Sequence, residues 1–249
     1  TRARVLHQVT WESIGDEARQ WAYLVCPEIE TKSHEAFGRT TLSRGDIQGI
    51  NNVRNFIIEY AYNKGMEKII ILDDDLIFGT RLHHSSPSLR KTKQIEMVVL
   101  WEKMEKLLEE FVHVGVSPRQ MNDKHFPHTI KYCMRQNAVH GIQPSVLMNE
   151  GIHYNDVSLM EDYYITLKLF EAGFPNAVIV DWTWDQRGAS GAKGGCSLYR
   201  TPKLQEEASR ELASIFPKYV KALQKETKTG WKGMKTRWDV RVQWRKCAK

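Results

Sequence analysis

Lys68-Ile69-Ile70-Ile71-Leu72-Asp73-Asp74-Asp75-Leu76 decides how this chain is read. The short unbroken aliphatic run predicts a strand buried on both faces, as in a sheet covered by helices on each side. Three carboxylates follow it directly. Ligands of open parallel sheets bind outside the carboxyl ends of the strands, so this acidic run stands where chemistry is expected. Adjacent carboxylates repel one another, and a hard divalent cation offsets that repulsion most simply, because it takes oxygen ligands from carboxylates, phosphates and water.

Working outward, Val53, Phe56, Ile57, Tyr60 and Ala61 recur at helical spacing, and Gly65 marks a stop. Upstream, residues 21–26 form a bulky apolar run closed by Pro27, which predicts another buried strand. Strand, helix, strand in that order implies a parallel βαβ unit. Downstream, Val98, Trp101, Met104, Leu107, Leu108 and Phe111 predict a helix over 94–110 leading into a strand at 111–116. A further helix begins near Asp162, runs through Ile165, Leu167, Leu169 and Phe170, and stops at Gly173 before a strand at 176–180. Helical periodicity resumes over 203–226 with Pro217 as a break. The expected architecture is α/β, a mostly parallel central sheet flanked by helices. It forms a single domain over 1–205, with a basic, Trp-rich helical segment, 206–249, packed on it.

A chain of 249 residues with 41% hydrophobic content buries a substantial core. No apolar run approaches the ~20 residues of a membrane span, and Thr1–His7 lacks the apolar stretch of a secretory signal, so a soluble cytoplasmic protein without a membrane partner is expected. Cys26, Cys133, Cys196 and Cys247 are scattered without CxxC pairs, the pattern of reduced structural thiols. The net charge of +6 is unevenly placed: residues 218–249 carry eleven Lys and Arg against Glu226 and Asp239, interleaved with Trp231, Trp238 and Trp244. Cations that contact phosphates and rings that stack on bases make such a segment a nucleic-acid surface, with Lys235, Arg237, Arg241 and Arg245 as the expected contacts; a solvated terminal helix is the plainer alternative.

Met160-Glu161-Asp162 stands where a helix begins. A carboxylate there takes the proton of an acceptor hydroxyl as general base, or simply favours the helix N-terminus. Between 185 and 196 the chain reads Asp-Gln-Arg-Gly-Ala-Ser-Gly-Ala-Lys-Gly-Gly-Cys. Such a loop either lays backbone N–H groups, Arg187 and Lys193 around phosphates or is a plain flexible connection.

A helix bearing Arg54-Asn55 followed by Asp73-Asp74-Asp75-Leu76 resembles the DxD region of GT-A glycosyltransferases, and Met160-Glu161-Asp162 resembles their xED motif. Together with Tyr163-Tyr164 and the Gln186-Arg187-Gly188 loop, these motifs look most like the glycosyltransferases associated with TET/JBP dioxygenases, over roughly residues 20–205. That phage-rich family includes the glucosyltransferase that makes base J. The resemblance implies a GT-A fold, Mn2+ or Mg2+, a UDP-sugar donor such as UDP-glucose, and inversion at the sugar carbon. It makes Asp73 face the donor nucleoside and Asp75 hold the metal, with Asp73 as a further ligand. Asp74, Arg54, Asn55, Pro27, Arg187 and Lys193 are the other expected donor contacts; for Arg54 a helix-surface salt bridge is the alternative. Asp162 becomes the base, with Glu161 second. Many GT-A enzymes add a histidine ligand after the acidic pair, but here all nine histidines lie at or before His153, which leaves Asp185 as the replacement oxygen ligand. His113, His140 and His153 are read as core or rim groups. The implied acceptor is the hydroxyl of a 5-hydroxymethylpyrimidine in DNA, reached in the major groove or by extruding the nucleotide, in the host cytoplasm if the chain is phage-encoded. A protein hydroxyl is the nearest rival acceptor, and a metal-dependent nucleotidyltransferase the rival reaction.

Overall fold

The computed structural model describes residues 4–7, 50–73, 76–83, 85–120, 122–186, 200–231 and 234–248. The expected strand at 21–26, Pro27, Asp74, Asp75, Arg187 and Lys193 lie outside the described residues. The first half runs β1 (Arg4–His7), α1 (Ile50–Asn63), β2 (Ile69–Leu72), β3 (Leu76–Arg81), β4 (Leu89–Lys91), α2 (Gln94–Leu107) and β5 (His113–Pro118). Next come β6 (Ile130–Tyr132), β7 (Val139–Ile142), α3 (Pro144–Asn149), α4 (Glu161–Glu171) and β8 (Ala177–Gln186). The chain then forms α5 (Pro202–Ile215), β9 (Val220–Trp231), β10 (Met234–Val242) and α6 (Trp244–Cys247).

Among the described residues, eight strands make one sheet in the order β1-β2-β7-β5-β8-β3-β4, with β6 also on β8. Of the described strands, only β1–β2 and β5–β8 pair in parallel; in that sheet β2–β7, β5–β7, β3–β8, β3–β4 and β6–β8 are antiparallel. The expectation of a mostly parallel sheet is therefore corrected. Crossover rules constrain the direction of strands joined by a helix, but a short run such as Val139–Ile142 carries no mark of its direction. Because β7 reverses between β2 and β5, the strands β1, β2, β5 and β8 still point the same way, and their carboxyl ends share one edge.

That edge is bent. Asp73 and Leu76 are three peptide steps apart, a reach of about 11 Å at most, whereas a flat sheet would hold β2 and β3 about 19 Å apart across β7, β5 and β8. Between β5 and β8 the register shifts, with Val116 opposite Ile179 but Ser117 opposite Thr183. Extra residues on one strand bend it locally.

Side chains of β2 alternate between two cores, as period-2 geometry requires. Ile69 and Ile71 join Ile58 of α1, Leu147 of α3, Ile165 and Leu169 of α4 and Leu212 of α5. Ile70 and Leu72 join Leu100 and Met104 of α2, Val114, Val116 and Trp184. The sheet is thus covered on both faces, as the aliphatic run predicts. The helices end where the sequence places stops, with Gly65 and Gly173 at φ 64° and 86°.

The C-terminal segment corrects a second expectation. Instead of a helix, β9 and β10 form an antiparallel ribbon, with Val220 opposite Val242 and Lys225 opposite Arg237. Trp238, Val240, Val242 and Trp244 alternate at period 2, a strand pattern that the charge-rich composition masks. The expected boundary between 205 and 206 also falls inside α5.

Candidate functional site

α1 turns a partly polar face inward. Val53, Phe56 and Ile57 are only half-buried, whereas Asn51, Arg54, Asn55, Ile58 and Ala61 are buried. A helix buries polar groups at this cost only where they find partners. Asn51 Nδ2 donates to the Val157 carbonyl at 2.9 Å, and Asn55 Oδ1 accepts from the Tyr154 amide at 3.1 Å. Asn55 Nδ2 donates to Glu59 at 2.7 Å, so the Asn55 amide ties α1 to the turn Tyr154–Asp156.

Arg54 makes the central contact. Its Nη2 lies 2.7 Å from Asp73 Oδ1 and its Nη1 2.8 Å from Glu161 Oε1, with 5% of the side chain exposed. Arg54 is thus held in salt bridges, as the alternative reading has it, but in the interior instead of on the helix surface, and both terminal nitrogens are engaged by protein carboxylates. Burial opposes the charge on Arg54, but Asp73 and Glu161 outweigh it and raise its pKa above the ordinary arginine value. Burial also pushes the Glu161 carboxyl up; Arg54 opposes that shift and Asp162 adds to it. One arginine thereby joins the first carboxylate after β2 to the acidic pair that opens α4.

The start of α4 is strained. Met160 at its N-cap is held at φ 62°, ψ 32°, a left-handed conformation that costs a bulky residue on the order of 1–3 kcal/mol. No side chain caps this helix end. Glu161 turns to Arg54, and Asp162 turns to Arg135, whose Nε and Nη2 both donate to Asp162 Oδ2 at 2.9 and 2.7 Å. The Arg135 guanidinium also lies 4.0 Å from the Tyr163 ring centre, and Tyr163 stacks on Trp244 at 5.6 Å.

Arg135 stands on a rigid mount. Cys133 has φ 54°, and the next residue is gripped by Asn176, whose Nδ2 donates to the Met134 carbonyl at 2.6 Å while its Oδ1 accepts from the Met134 amide at 3.0 Å. On the other side, Gln136 is buried and its Nε2 donates to the His113 and Ala177 carbonyls at 3.2 and 3.4 Å. Gly115 makes room for it: a Cβ there would stand 2.1 Å from Gln136 Oε1.

Behind Arg54 lies a buried polar patch. His113 Nε2 and His140 Nδ1 are 3.2 Å apart, and the His140 and Tyr154 rings meet edge to face at 6.2 Å. Desolvation drives the His113 pKa from 6.5 to about 3 and that of His140 well below 6.5, so both rings are neutral. Burial raises the Tyr154 phenol above its ordinary value. Arg54 Nε, His140 Nε2 and the Tyr154 hydroxyl have no hydrogen-bond partner among the described residues.

Asp185 lies near the end of β8 with 45% of its side chain exposed and Arg119 Nη1 at 3.9 Å. Leu76 pairs with Gln186, so the register sets Asp185 beside the strand that leaves the acidic triplet. Among the described residues no three His, Cys, Asp or Glu side chains gather as metal ligands; Asp74 and Asp75 lie outside them. On the ribbon, Lys221 faces Arg241 and Lys225 faces Arg237, which gathers four cations on one face around Asp239. Lys235 and Arg245 are exposed nearby in sequence. The opposite face packs on α5, where Gln205 donates to the Trp238 carbonyl at 3.0 Å. Asp239 is close enough for its charge to act on Arg135 and Tyr163, so the cationic face borders the Asp162 side of the site.

The structure thus brings together Arg54, Asp73, Glu161 and Asp162 from the residues singled out in the sequence. It adds Arg135, Tyr163, Trp244 and Tyr154. A lone arginine after a short strand carries no local signal; only the buried Asn176 and Gln136 on either side make Arg135 conspicuous. No helix among the described residues is long and apolar enough to cross a membrane. No curated protein matches the chain. The family model described as TET-Associated Glycosyltransferase matches residues 1–195.

Proposed function

The chain belongs to the TET-associated glycosyltransferases, and from that premise we propose that it moves glucose from UDP-glucose to the hydroxyl of a 5-hydroxymethylpyrimidine in DNA, with inversion and with a divalent metal. The Arg54 bridge carries this reading. It ties Asp73, on the donor side, to Glu161 in the pair that supplies the base, although these residues lie 19 and 107 positions from Arg54.

The two acidic neighbours divide the work. Glu161 is spent on Arg54 and keeps that bridge in place. Asp162 takes both Arg135 contacts on Oδ2, and Oδ1 is the oxygen with which it accepts the proton of the attacking hydroxyl. As the acceptor oxygen bonds to the sugar carbon, the bond from that carbon to the diphosphate breaks, and UDP leaves with its electron pair. A carboxylate within hydrogen-bond reach assists that attack.

Asp73, whose Oδ1 already meets Arg54, and the half-exposed Asp185 are carboxylates of the hard-oxygen kind that a divalent cation takes. Asp75, Asp73 and Asp185 would hold Mn2+ or Mg2+, and the bound metal would neutralise charge on the departing diphosphate. The cations of the ribbon, with Lys235 and Arg245, would contact DNA phosphates.

The test is mass spectrometry of nucleosides from DNA carrying 5-hydroxymethylcytosine or 5-hydroxymethyluracil, after incubation with UDP-sugars and Mn2+. A nucleoside heavier by one hexosyl group in the β configuration, formed with release of UDP and abolished by EDTA, is the expected result. UDP release without DNA modification would move the acceptor elsewhere, for example to a protein hydroxyl. Pyrophosphate release would make the enzyme a nucleotidyltransferase, and full activity in chelator would remove the metal.

A further inference from the structure

We propose that the open face of the Arg135 guanidinium is the stacking platform on which the acceptor base rests beside Asp162. This deepens the reading above and rests on it. Arg135 has one face against Tyr163 at 4.0 Å, yet 40% of its side chain remains exposed. Its edge nitrogens are fixed on a single carboxylate oxygen, so the plane of the group cannot swing freely about its stem. Tyr163 backs the plane and is itself backed by Trp244, which makes a three-layer stack of guanidinium, phenol and indole.

The mount argues that this presentation is selected by the fold. A left-handed Cys133, a fully buried Asn176 holding both backbone groups of Met134, and a fully buried Gln136 clamped to two strands over-determine the turn. Strain of this kind persists where the surrounding structure holds a residue for a task. An arginine needed only as counter-ion to Asp162 would be served by any flexible cation. A planar, weakly hydrated guanidinium held flat is instead a surface for an aromatic ring, and nucleobases stack on arginine planes as they do on aromatic side chains. The position also selects the ligand. It lies within hydrogen-bond distance of the proposed base and borders the cationic ribbon face, so a base attached to a phosphate backbone meets it with its phosphates over the lysines and arginines.

Arg135→Lys keeps a positive charge near Asp162 and removes the plane. DNA with a fluorescent base analogue at the target position should show quenching on binding to the parent chain, and the lysine variant should lose that quenching and bind about 5- to 150-fold more weakly. UDP binding and the melting temperature should stay at parental values in the same preparation. Unmodified single nucleotides, used as a second probe, separate base stacking from backbone contact: quenching with oligonucleotide alone means that the ribbon must first anchor the strand, and quenching with both means that the platform suffices. Parental quenching and parental DNA affinity in Arg135→Lys would overturn the platform while leaving the glycosyl transfer intact. Absence of DNA glycosylation by the parent chain, with every UDP-sugar, would overturn both.

Discussion

Two arginines hold the two neighbouring carboxylates that open α4, and they hold them in opposite surroundings. Arg54 reaches Glu161 from inside, with 5% of its side chain exposed, and also binds Asp73. Arg135 reaches Asp162 from the rim, with 40% exposed, and binds no second carboxylate among the described residues. Consecutive acids on one helix turn therefore have unlike partners. Both carboxylates are buried, each with 9% of its side chain exposed, so the difference lies in the partner: an interior cation for Glu161 and one that reaches the surface for Asp162.

The largest expected effect tests Asp162, the member of the pair whose cation reaches the surface. Asp162→Asn should lower single-turnover glycosyl transfer by about 10²–10⁴ while the melting temperature and DNA affinity stay near parental, because no cap is lost. Near-normal turnover would break the contrast and pass the base to Glu161.

Arg54→Met comes next and should act on the fold. Removing one partner of a buried ion pair costs about 3–5 kcal/mol, and here two carboxylates, Asp73 and Glu161, lose their common cation. Urea unfolding of the variant should show that loss. A change below 1 kcal/mol would mean that the bridge is not sealed from water.

Acid should damage the same interior side. The folded pKa of His113, about 3, lies below its ordinary 6.5 because burial penalises the charge, and His140 is displaced in the same direction. Below the unfolded pKa the unfolded chain takes up protons that the folded chain refuses. Stability should therefore fall as pH drops below about 6.5, by about 1.4 kcal/mol per unit for His113 down to about 3, with His140 acting in the same direction. Urea midpoints at pH 7.5 and pH 5 measure the slope, and His140→Phe should flatten it. An unchanged midpoint between those pH values would place both rings within reach of solvent.

Arg135→Met should cost less stability than Arg54→Met, because it strands one buried carboxylate, Asp162, instead of two, but more than the roughly 1 kcal/mol or less of a pair exposed on both sides. A loss comparable to that of Arg54→Met would erase the distinction between the two arginines.

Much of this arrangement is legible in the sequence, for identifiable reasons. The four-residue run ahead of the acidic triplet reports a strand covered on both faces, and α2, α4 and β8 announce themselves by helical spacing or β-branched runs. The acidic pair is legible because it opens a helix. Strand direction is not, since β7 is too short to differ in pattern from a parallel neighbour. The ribbon is hidden by its lysines, although Trp238, Val240 and Val242 alternate. The inward face of α1 is misread because hydrophobic periodicity points to Val53, Phe56 and Ile57, whereas the helix turns Arg54 and Asn55 inward to meet partners far along the chain.

The first core cluster has a consequence for how the chain divides. The family resemblance ends at residue 195, but Ala208, Leu212, Phe216, Val220, Val240 and Cys247 complete the same apolar interior as Tyr164, Leu167 and Phe170 of α4. Kinship and foldability therefore have different frontiers here. A fragment cut at the limit of similarity would present an unroofed α4 to water, with the indole behind Tyr163 missing. Grafting another C-terminal module onto this scaffold would demand matching its hydrophobic underside before its charges, because the segment beyond residue 195 is also a wall of the room in which α4 sits.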